Sequence, residues 1–417
     1  MKKTIGITAA TVAVIALGIR TPAQQGPKIR TLTEQEVADI LVGSSIQGTR
    51  NGNSGGMIKT AHDLMTQGKK FTMVEPDDIP DDWMVVAAAG GVGGGGAWEY
   101  VTDRVKQQQL PTVTGNTTVM AADVLSKHLG KKFNAVIRNE ADGAMIAAMQ
   151  SAVTLGLPIV DACLAGRAKP ELNLQISFPN GISGTPATLV TRWGDVIILD
   201  KTVDDYRLED LARAVAVASG GGSSIARNPM TGRDVKRGTI KGAVTEAMTF
   251  GRTVREAKAA GRNPIDALIA VSNQIGGPSR PTYRMFDGTV TKADHKGERG
   301  FDWVDAEIAG TNQYRDHTYR VYVKNENIIA WLDGKPDILP PDLIYNLDPQ
   351  TGDAITGVSM GNYPVGKEVI IVGRAASPMW RTPKGIELFH PRHFGFDVDY
   401  TPIEQLYKAR PSFSSSH

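Results

Sequence analysis

Apolar positions along the first two thirds of the chain follow two alternating spacings. Short uninterrupted apolar runs predict buried strands at residues 83–89, 135–137 and 157–160. Segments whose apolar positions recur every three or four residues predict amphipathic helices at residues 119–129, 143–155 and 206–218. This alternation is typical of a mixed sheet with helices on its faces.

The spacing changes after Gly276-Gly277-Pro278, which interrupts the helical pattern and marks a domain edge. Beyond it, alternating apolar and polar positions predict strands at residues 283–290, 303–308, 318–323, 327–332, 343–347 and 367–372. The predicted fold class is therefore α/β, with a mixed α/β N-terminal domain and a smaller, mostly β C-terminal domain. We place the candidate catalytic domain at 30–277, the β-rich domain at 278–400, and a terminal helix and tail at 401–417.

The first 25 residues differ from the rest of the chain. Lys2 and Lys3 precede an uncharged run at residues 5–19, and Pro22-Ala23 follows it. A basic start, an apolar middle and small residues near a cleavage point are typical of a signal peptide. We expect export or membrane association through residues 1–25, which would be the only membrane contact. The alternative is an uncleaved N-terminal helix on a cytoplasmic protein.

Composition removes several classes of partner and site. Hydrophobic residues make up 41% and charged residues 22% of the chain, which is ordinary for a globular protein. The formal net charge is +2 and no basic tract occurs, so no nucleic-acid partner is expected. Cys163 is the only cysteine, which excludes an intrachain disulfide and a zinc site built from several cysteines.

Candidate catalytic residues concentrate between residues 140 and 171. Glu140 follows one predicted strand, and Asp161 stands at the end of another, where open α/β sheets place ligands. Either carboxylate could activate water as a general base, and Arg167 could hold a substrate carboxylate. Glu171 completes the candidate set. In the structural alternative, Asp161 caps a turn and Arg167 pairs with Glu171.

Cys163 lies beside the same turn and could be a nucleophile. Unpaired cysteines are more often small buried core residues.

Glycine-rich loops provide candidate substrate-binding positions at Gly55, Gly56, Gly93, Gly94 and Thr185. Backbone amides at such loops can hold an anion or a developing oxyanion.

The run at residues 90–96 matches G-x-G-x-x-G between a predicted strand and a helix. The acidic residue that a dinucleotide site requires about 20 residues later is missing, which argues against a nicotinamide or flavin cofactor. Either this loop binds a small anionic or polar substrate, or it is a flexible lid without ligand contact.

A metal site is conceivable at His390 and His393, which share a short segment with Asp397 and Asp399. Pro391 prevents the helical spacing that such sites often use, and a structural aromatic turn is the alternative. We therefore predict no cofactor and no metal ligands, with a divalent metal left open.

Several motifs together resemble one known family. They are Gly156-Leu157-Pro158, Gly166-Arg167-Ala168, Asn228-Pro229-Met230-Thr231-Gly232, Phe250-Gly251-Arg252-Thr253 and Phe394-Gly395-Phe396-Asp397. In this order they resemble the S-methyl-thiohydantoin desulfurase family, which is associated with hydantoinases and oxoprolinases. The resemblance covers roughly residues 30–407. It implies two domains and, for some members, hydrolysis of a five-membered cyclic amide.

Two functions follow as hypotheses. The first is a hydrolase that acts on a hydantoin or S-methyl-thiohydantoin type of ring by carboxylate-assisted water attack. The second is a non-catalytic binding or assembly protein on the same fold. In both cases we expect a small-molecule ligand and a homo-oligomer.

Overall fold

The computed structural model describes residues 26–48, 54–355 and 363–413. The signal-like segment predicted at residues 1–25 lies outside the described residues, as do residues 49–53 of the first glycine-rich loop. Within the described ranges, no helix combines the length and the apolar composition that crossing a bilayer requires.

A mixed sheet forms the centre of the N-terminal part. Its strands are β1 (Ile29–Thr31), β2 (Thr72–Val74), β3 (Met84–Ala87), β4 (Gly91–Gly93), β5 (Ala135–Arg138), β6 (Ile159–Cys163), β7 (Ala187–Thr191), β8 (Val196–Leu199), β9 (Gly222–Thr231) and β10 (Ile240–Lys241). The order across the sheet is β1-β2-β6-β5-β3-β9-β7-β8, with β10 beside β6 and β4 beside β9. Strands β2, β6, β5 and β3 run parallel, and the other pairings are antiparallel. The loops after β3, β5 and β6 therefore meet at one edge.

Helices accompany this sheet in the order that the sequence pattern indicates. They are α1 (Glu34–Gln47), α2 (Ser54–Thr66), α3 (Asp103–Gln108), α4 (Thr117–Leu129), α5 (Met145–Leu155), α6 (Asp205–Ala218), α7 (Gly232–Gly238), α8 (Ala243–Ala259) and α9 (Pro264–Gly276). α1 begins with a capping box, in which Thr33 accepts from the Glu36 backbone and Glu36 accepts from Thr33. α1, α2, α4 and α5 cover the parallel strands with apolar side chains.

The second sheet is antiparallel throughout. Its strands are β11 (Thr282–Glu298), β12 (Phe301–Gly310), β13 (Thr318–Lys324), β14 (Glu326–Leu332), β15 (Lys335–Ile338), β16 (Leu343–Leu347) and β17 (Glu368–Arg374), in the order β15-β14-β13-β12-β11-β17-β16. The sheet curls, so that Asn327 Nδ2 on β14 donates to Ile344 O on β16 at 3.1 Å. Helices α10 (Pro383–Leu388) and α11 (Ile403–Lys408) follow it.

These observations confirm the predicted fold class, a mixed α/β part followed by a smaller, mostly β part. Two segments differ from what their local sequence pattern predicts. The alternating residues 172–178 predict a strand but form buried turns, with Leu174 and Ile176 in the core. The glycine-rich residues 220–224 predict a loop, but β9 begins within them at Gly222. That strand contains Pro229 and has Asn228 at a φ of 50°, which hides it from a pattern search.

The glycine run at residues 90–96 joins the two sheets and is not a free lid. Gly95 N donates to Asp302 Oδ2 at 2.9 Å, and Gly300 N donates to Gly95 O at 3.0 Å. A Cβ on Gly94 would lie 2.2 Å from Gly300 O, so only glycine allows this approach of the two backbones.

A buried ion pair also crosses the junction. Arg374 on β17 donates to both oxygens of Glu246 on α8 at 2.7 and 2.9 Å, and Arg280 donates at 2.8 Å. Burial alone would raise the pKa of Glu246, but the two guanidinium groups lower it to about 2. The carboxylate is therefore ionised at neutral pH and fixes the second sheet to α8.

Candidate functional site

A cavity of about 840 Å³ lies where the loops after the parallel strands meet. Residues 90–93 line it after β3, residues 140–147 line it after β5 except Ala141 and Met145, and residues 169–172 line it after β6. Open α/β sheets bind ligands at the carboxyl ends of their strands, because loops and helix N-termini converge there. The volume is typical of a pocket for a small molecule.

The second sheet closes this cavity with the turn between β13 and β14. Asn325 occupies the turn at a φ of 56°, and its side chain accepts from Asp302 N at 2.7 Å and donates to Gly93 O at 3.3 Å. The next residue, Glu326, lines the cavity. Both parts of the chain therefore contribute to one site.

Three carboxylates meet inside the cavity. One oxygen each from Glu140, Asp142 and Glu326 lies within 4.8 Å of the other two, and Asp142 and Glu326 are each only 3% exposed. Oxygens on opposite sides of a Ca²⁺-sized ion are about 5 Å apart, so this spacing suits one divalent cation. An all-oxygen, carboxylate-rich set favours Mg²⁺, Mn²⁺ or Ca²⁺ over softer metals. We call these residues the carboxylate trio.

Neighbouring backbone groups hold two members of the trio. Glu140 Oε2 accepts from Lys169 N at 2.8 Å, which ties the loop after β5 to the loop after β6. Asp142 Oδ1 accepts from Ala144 N at 2.9 Å, just before α5 begins. The N-terminus of α5 therefore faces the same carboxylates, and its partial positive charge stabilises them.

Lys169 is a buried cation beside the trio. It is 6% exposed, and its Nζ donates to Glu171 O at 2.9 Å. Burial, together with the nearby Arg227 guanidinium, lowers the pKa of Lys169 to about 8. The amine can therefore exchange a proton near neutral pH, which is unusual for lysine and common in active sites.

Glu171 lines the cavity but is strongly paired. Its Oε2 lies 2.7 Å from His393 Nε2, and its Oε1 forms an ion pair with Lys324 of the second sheet. Burial opposes ionisation, yet His393 and Lys324 lower the pKa of Glu171 to about 2. A carboxylate this acidic is a poor proton acceptor, so its contacts indicate a role in joining the two sheets.

Arg213 on α6 connects three separate segments of the chain around the cavity. Its guanidinium donates to Gly93 O at 3.0 Å, Gly300 O at 2.8 Å and Pro170 O at 2.9 Å. Glu209 balances its charge at 2.7 Å. The cavity walls are therefore fixed by a network that spans three loops.

The structure brings together Glu140, Glu171, Gly56 and Gly93 from the predicted site, all of which line the cavity. Five predicted residues lie elsewhere: Asp161, Arg167, Gly55, Gly94 and Thr185. Gly94 packs against Gly300, and Thr185 N donates to Ser183 Oγ in a turn. Gly55 lies in the exposed first turn of α2.

Arg167 is a buried link to the second part of the chain. It donates to the carbonyl oxygens of Pro341, Asp342 and Asn327 and lies 4.2 Å above the Phe389 ring. Burial lowers its pKa to about 10. These contacts leave it outside the cavity lining, and its predicted pairing with Glu171 does not occur.

Asp161 caps a helix instead of facing the cavity. Its Oδ1 accepts from Val244 N at 2.7 Å and Thr245 N at 3.0 Å, and its Oδ2 accepts from Thr245 Oγ1 at 2.5 Å. The residue at the N-cap of α8 is Gly242, which has no side chain for this purpose. Asp161 supplies the missing acceptor from β6.

The Asp161→Ala variant is expected to lose about 1–2 kcal/mol of unfolding free energy, because α8 loses its cap. Asp161→Asn should recover most of that loss, since Asn is an equally good cap. Denaturant unfolding measures the first effect, and turnover per folded molecule should be unchanged in both variants. A large loss of turnover in Asp161→Asn would show that Asp161 is a catalytic base.

Two other candidates for chemistry also lie outside the cavity lining. Cys163 is fully buried, its Sγ accepts from Gly166 N at 3.1 Å, and burial raises the pKa of its thiol. His390 Nδ1 accepts from Arg392 N at 3.1 Å, so it supports the turn that carries His393 to Glu171.

Sequence reasoning missed Asp142, Lys169 and Glu326 as site residues. Asp142 and Lys169 stand in the stretch already singled out, and their positions in the loops after β5 and β6 were the available signal. Glu326 is separated from Glu140 by 186 residues (326 minus 140), and nothing local to its turn indicates that contact. Only the packing of the two sheets brings it there.

Fold and site together define a two-domain α/β protein with a carboxylate-lined cavity between its sheets. The model described as "S-Me-THD-like, N-terminal domain" matches residues 35–201, and "S-Me-THD-like, C-terminal domain" matches residues 203–403. The chain therefore belongs to the S-Me-THD-like family, and the resemblance found in its motifs is confirmed. The boundary between the two models falls between β8 and α6, before the last strands of the first sheet.

One solved structure shares the fold over most of the chain. It is the X-ray crystal structure of a protein from Chromobacterium violaceum, with a TM-score of 0.68 and 19% sequence identity. The alignment covers 90% of this chain and all of that one. At this identity the likeness supports the fold alone. Comparison with curated proteins gives no match.

Proposed function

We propose that this chain hydrolyses a five-membered cyclic amide of the hydantoin or S-methyl-thiohydantoin type, and that the carboxylate trio is the reaction centre. The observation that carries the proposal is the meeting of Glu140, Asp142 and Glu326 beside the buried Lys169. Family membership supports the ring class. The trio supports water activation, because closely spaced carboxylates accept protons and hold hydrated cations.

The reaction balances with water as the only co-reactant. On an S-methyl-thiohydantoin, water oxygen forms a bond to the ring carbon that carries sulfur, and the carbon–sulfur bond breaks. One water proton leaves with methanethiol, the other goes to the adjacent ring nitrogen, and the ring gains a carbonyl. On a hydantoin, water attacks a ring carbonyl, the carbon–nitrogen bond breaks, and the released nitrogen takes a proton.

Residues of this chain divide the proton transfers between them. Glu140 is the base that we assign to the attacking water, since it is the least buried of the trio. Lys169, as an ammonium, donates its proton to the leaving atom of the substrate, which is the sulfur of methanethiol or the released ring nitrogen. A divalent cation held by the trio would polarise the bound water and lower its pKa. Asp142 and Glu326 would hold that cation through their buried oxygens.

The assignment of Lys169 as the proton donor predicts how kcat/KM depends on pH. Because the ammonium form is active, kcat/KM is expected to fall as pH rises through about 8, the pKa of Lys169. Lys169→Met should lower kcat/KM by about 100-fold and abolish its fall near pH 8. Lys169→Arg keeps the charge at all these pH values, so any residual activity should be flat from pH 7 to about 10. A fall in kcat/KM near pH 8 that persists in both variants would contradict the assignment of Lys169 as the proton donor.

A turnover assay tests the proposed function itself. Hydantoins, S-methyl-thiohydantoins and five-membered lactams are incubated with the full chain, with Mg²⁺ or Mn²⁺ or with EDTA, and products are identified by mass spectrometry. Multiple turnovers with release of methanethiol or a ring-opened acid support the hydrolase. Ligand-dependent stabilisation without any turnover would favour the non-catalytic binding protein.

A further inference from the structure

Within the part of the chain that the structure describes, β8 forms one edge of the first sheet, and its composition is unusual for an exposed edge. It reads Val196-Ile197-Ile198-Leu199 without a charge, a proline or a glycine. Val196 is 51% and Ile198 is 42% exposed. Free edges are normally protected by charges, bulges or covering elements, because an open edge can pair with another strand.

Backbone groups on this edge are aligned for pairing. Thr191 N donates to Asp195 O at 3.0 Å where the β7–β8 hairpin closes. Hydrogen-bonded positions alternate along an antiparallel pair, so Ile197 and Leu199 bond to β7. The backbone groups of Val196 and Ile198 therefore face away from β7, toward the free edge.

We propose that β8 pairs with β8 of a second copy of this chain, antiparallel across a two-fold axis at Ile198. Opposite residues in this register have numbers that sum to 396. Ile198 then faces itself, and Ile197 faces Leu199 of the other copy. The pairing continues the first sheet from one copy into the next.

Charges at the two ends of β8 select this register. Asp195 precedes the strand and Lys201 follows it, and both are exposed. In the Ile198-centred register each Asp195 stands opposite a Lys201, so symmetry creates two opposite-charge pairs. Opposite charges that face each other across an antiparallel pair stabilise that pairing. In the alternative centred on Ile197, Asp195 would face Leu199 and Lys201 would lie opposite Trp193.

A second copy of this chain is the partner that the charges at the ends of β8 favour. The pairs of Asp195 with Lys201 form twice across the axis only when the same sequence stands on both sides of the contact.

Cysteine crosslinking tests both the partner and the register. Cα atoms of a hydrogen-bonded antiparallel pair are about 5.5 Å apart, which a disulfide can span. Ile198→Cys in the full chain should form a disulfide-linked dimer under mild oxidation, whereas Val203→Cys, which is also exposed but beyond the strand, should not. Crosslinking at Ile197→Cys instead of Ile198→Cys would overturn the register.

Light scattering after size exclusion tests the association without crosslinking. The native chain should run as a dimer or a multiple of it, and Ile198→Lys should run at half that mass because two like charges meet at the axis. Val203→Lys is the matched control and should leave the mass unchanged. Circular dichroism establishes that each variant is folded. A monomeric native chain, or an Ile198→Lys variant with unchanged mass, would overturn the proposal.

Discussion

Replacing Asp142 by Asn is expected to lower kcat/KM for ring hydrolysis by at least about 100-fold, with little change in the fold. Asn retains an oxygen that can accept from Ala144 N, as Asp142 Oδ1 does at 2.9 Å, so the start of α5 should survive. It removes one of three carboxyl groups whose oxygens lie within 4.8 Å of each other. The variant therefore loses a carboxylate that can bind a cation or a proton, while the local fold is retained.

The second domain provides an independent version of the same test. Glu326→Gln should reduce kcat/KM to a similar extent, although Glu326 lies on the other sheet. The double variant should be little worse than either single one, because residues that act as a unit are not additive. Asp123→Asn, an exposed carboxylate on α4, is the matched control. Normal turnover in Asp142→Asn and Glu326→Gln, with folded protein, would remove the trio from the mechanism.

Replacing Glu246 by Gln is expected to cost about 3–5 kcal/mol of unfolding free energy, because a buried cation is left without its partner. Arg374 is fully buried and loses both oxygens of its bidentate contact as charged acceptors. The loss should weaken the contact between α8 and β17, so the second sheet should become easier to unfold. This is the largest stability effect that we expect from a single isosteric substitution.

The same pair predicts a pH dependence with a defined sign. The pKa of Glu246 is lowered from 4.5 to about 2 on folding, so its charge stabilises the fold above the unfolded value. That contribution is lost as pH falls from 4.5 toward 2. The difference between the native chain and Glu246→Gln should therefore be constant near neutral pH and shrink below 4.5 in denaturant unfolding. Asp63→Asn, which breaks an exposed ion pair with Lys59, should cost little at any pH.

Regular elements could be predicted from local pattern because their causes are local. The capping box at Thr33 and Glu36 and the spacing of apolar residues in α4, α5 and α6 set those helices. β9 could not be predicted, because a proline and a positive φ interrupt a strand that its neighbours β3, β4 and β7 stabilise. Tertiary pairing overrides propensity there.

The site was only partly predictable for a related reason. The loops after β5 and β6 were identified, since a carboxylate after a buried strand is a local signal. Of the two roles left open for Asp161, the structure shows the capping one, because β6 extends to Cys163 and the Asp161 side chain turns toward α8. Glu326 lines the cavity and His393 contacts Glu171 only because the second part of the chain docks there, and that docking has no local signature.

The most direct test of the hydrolytic trio is turnover of an S-methyl-thiohydantoin in ¹⁸O-labelled water, with the native chain and Asp142→Asn compared side by side. The account predicts one ¹⁸O atom in the new ring carbonyl, one methanethiol per product molecule, and loss of both signals in the variant. Product without the label, or equal labelled product from the Asp142→Asn variant, would contradict it.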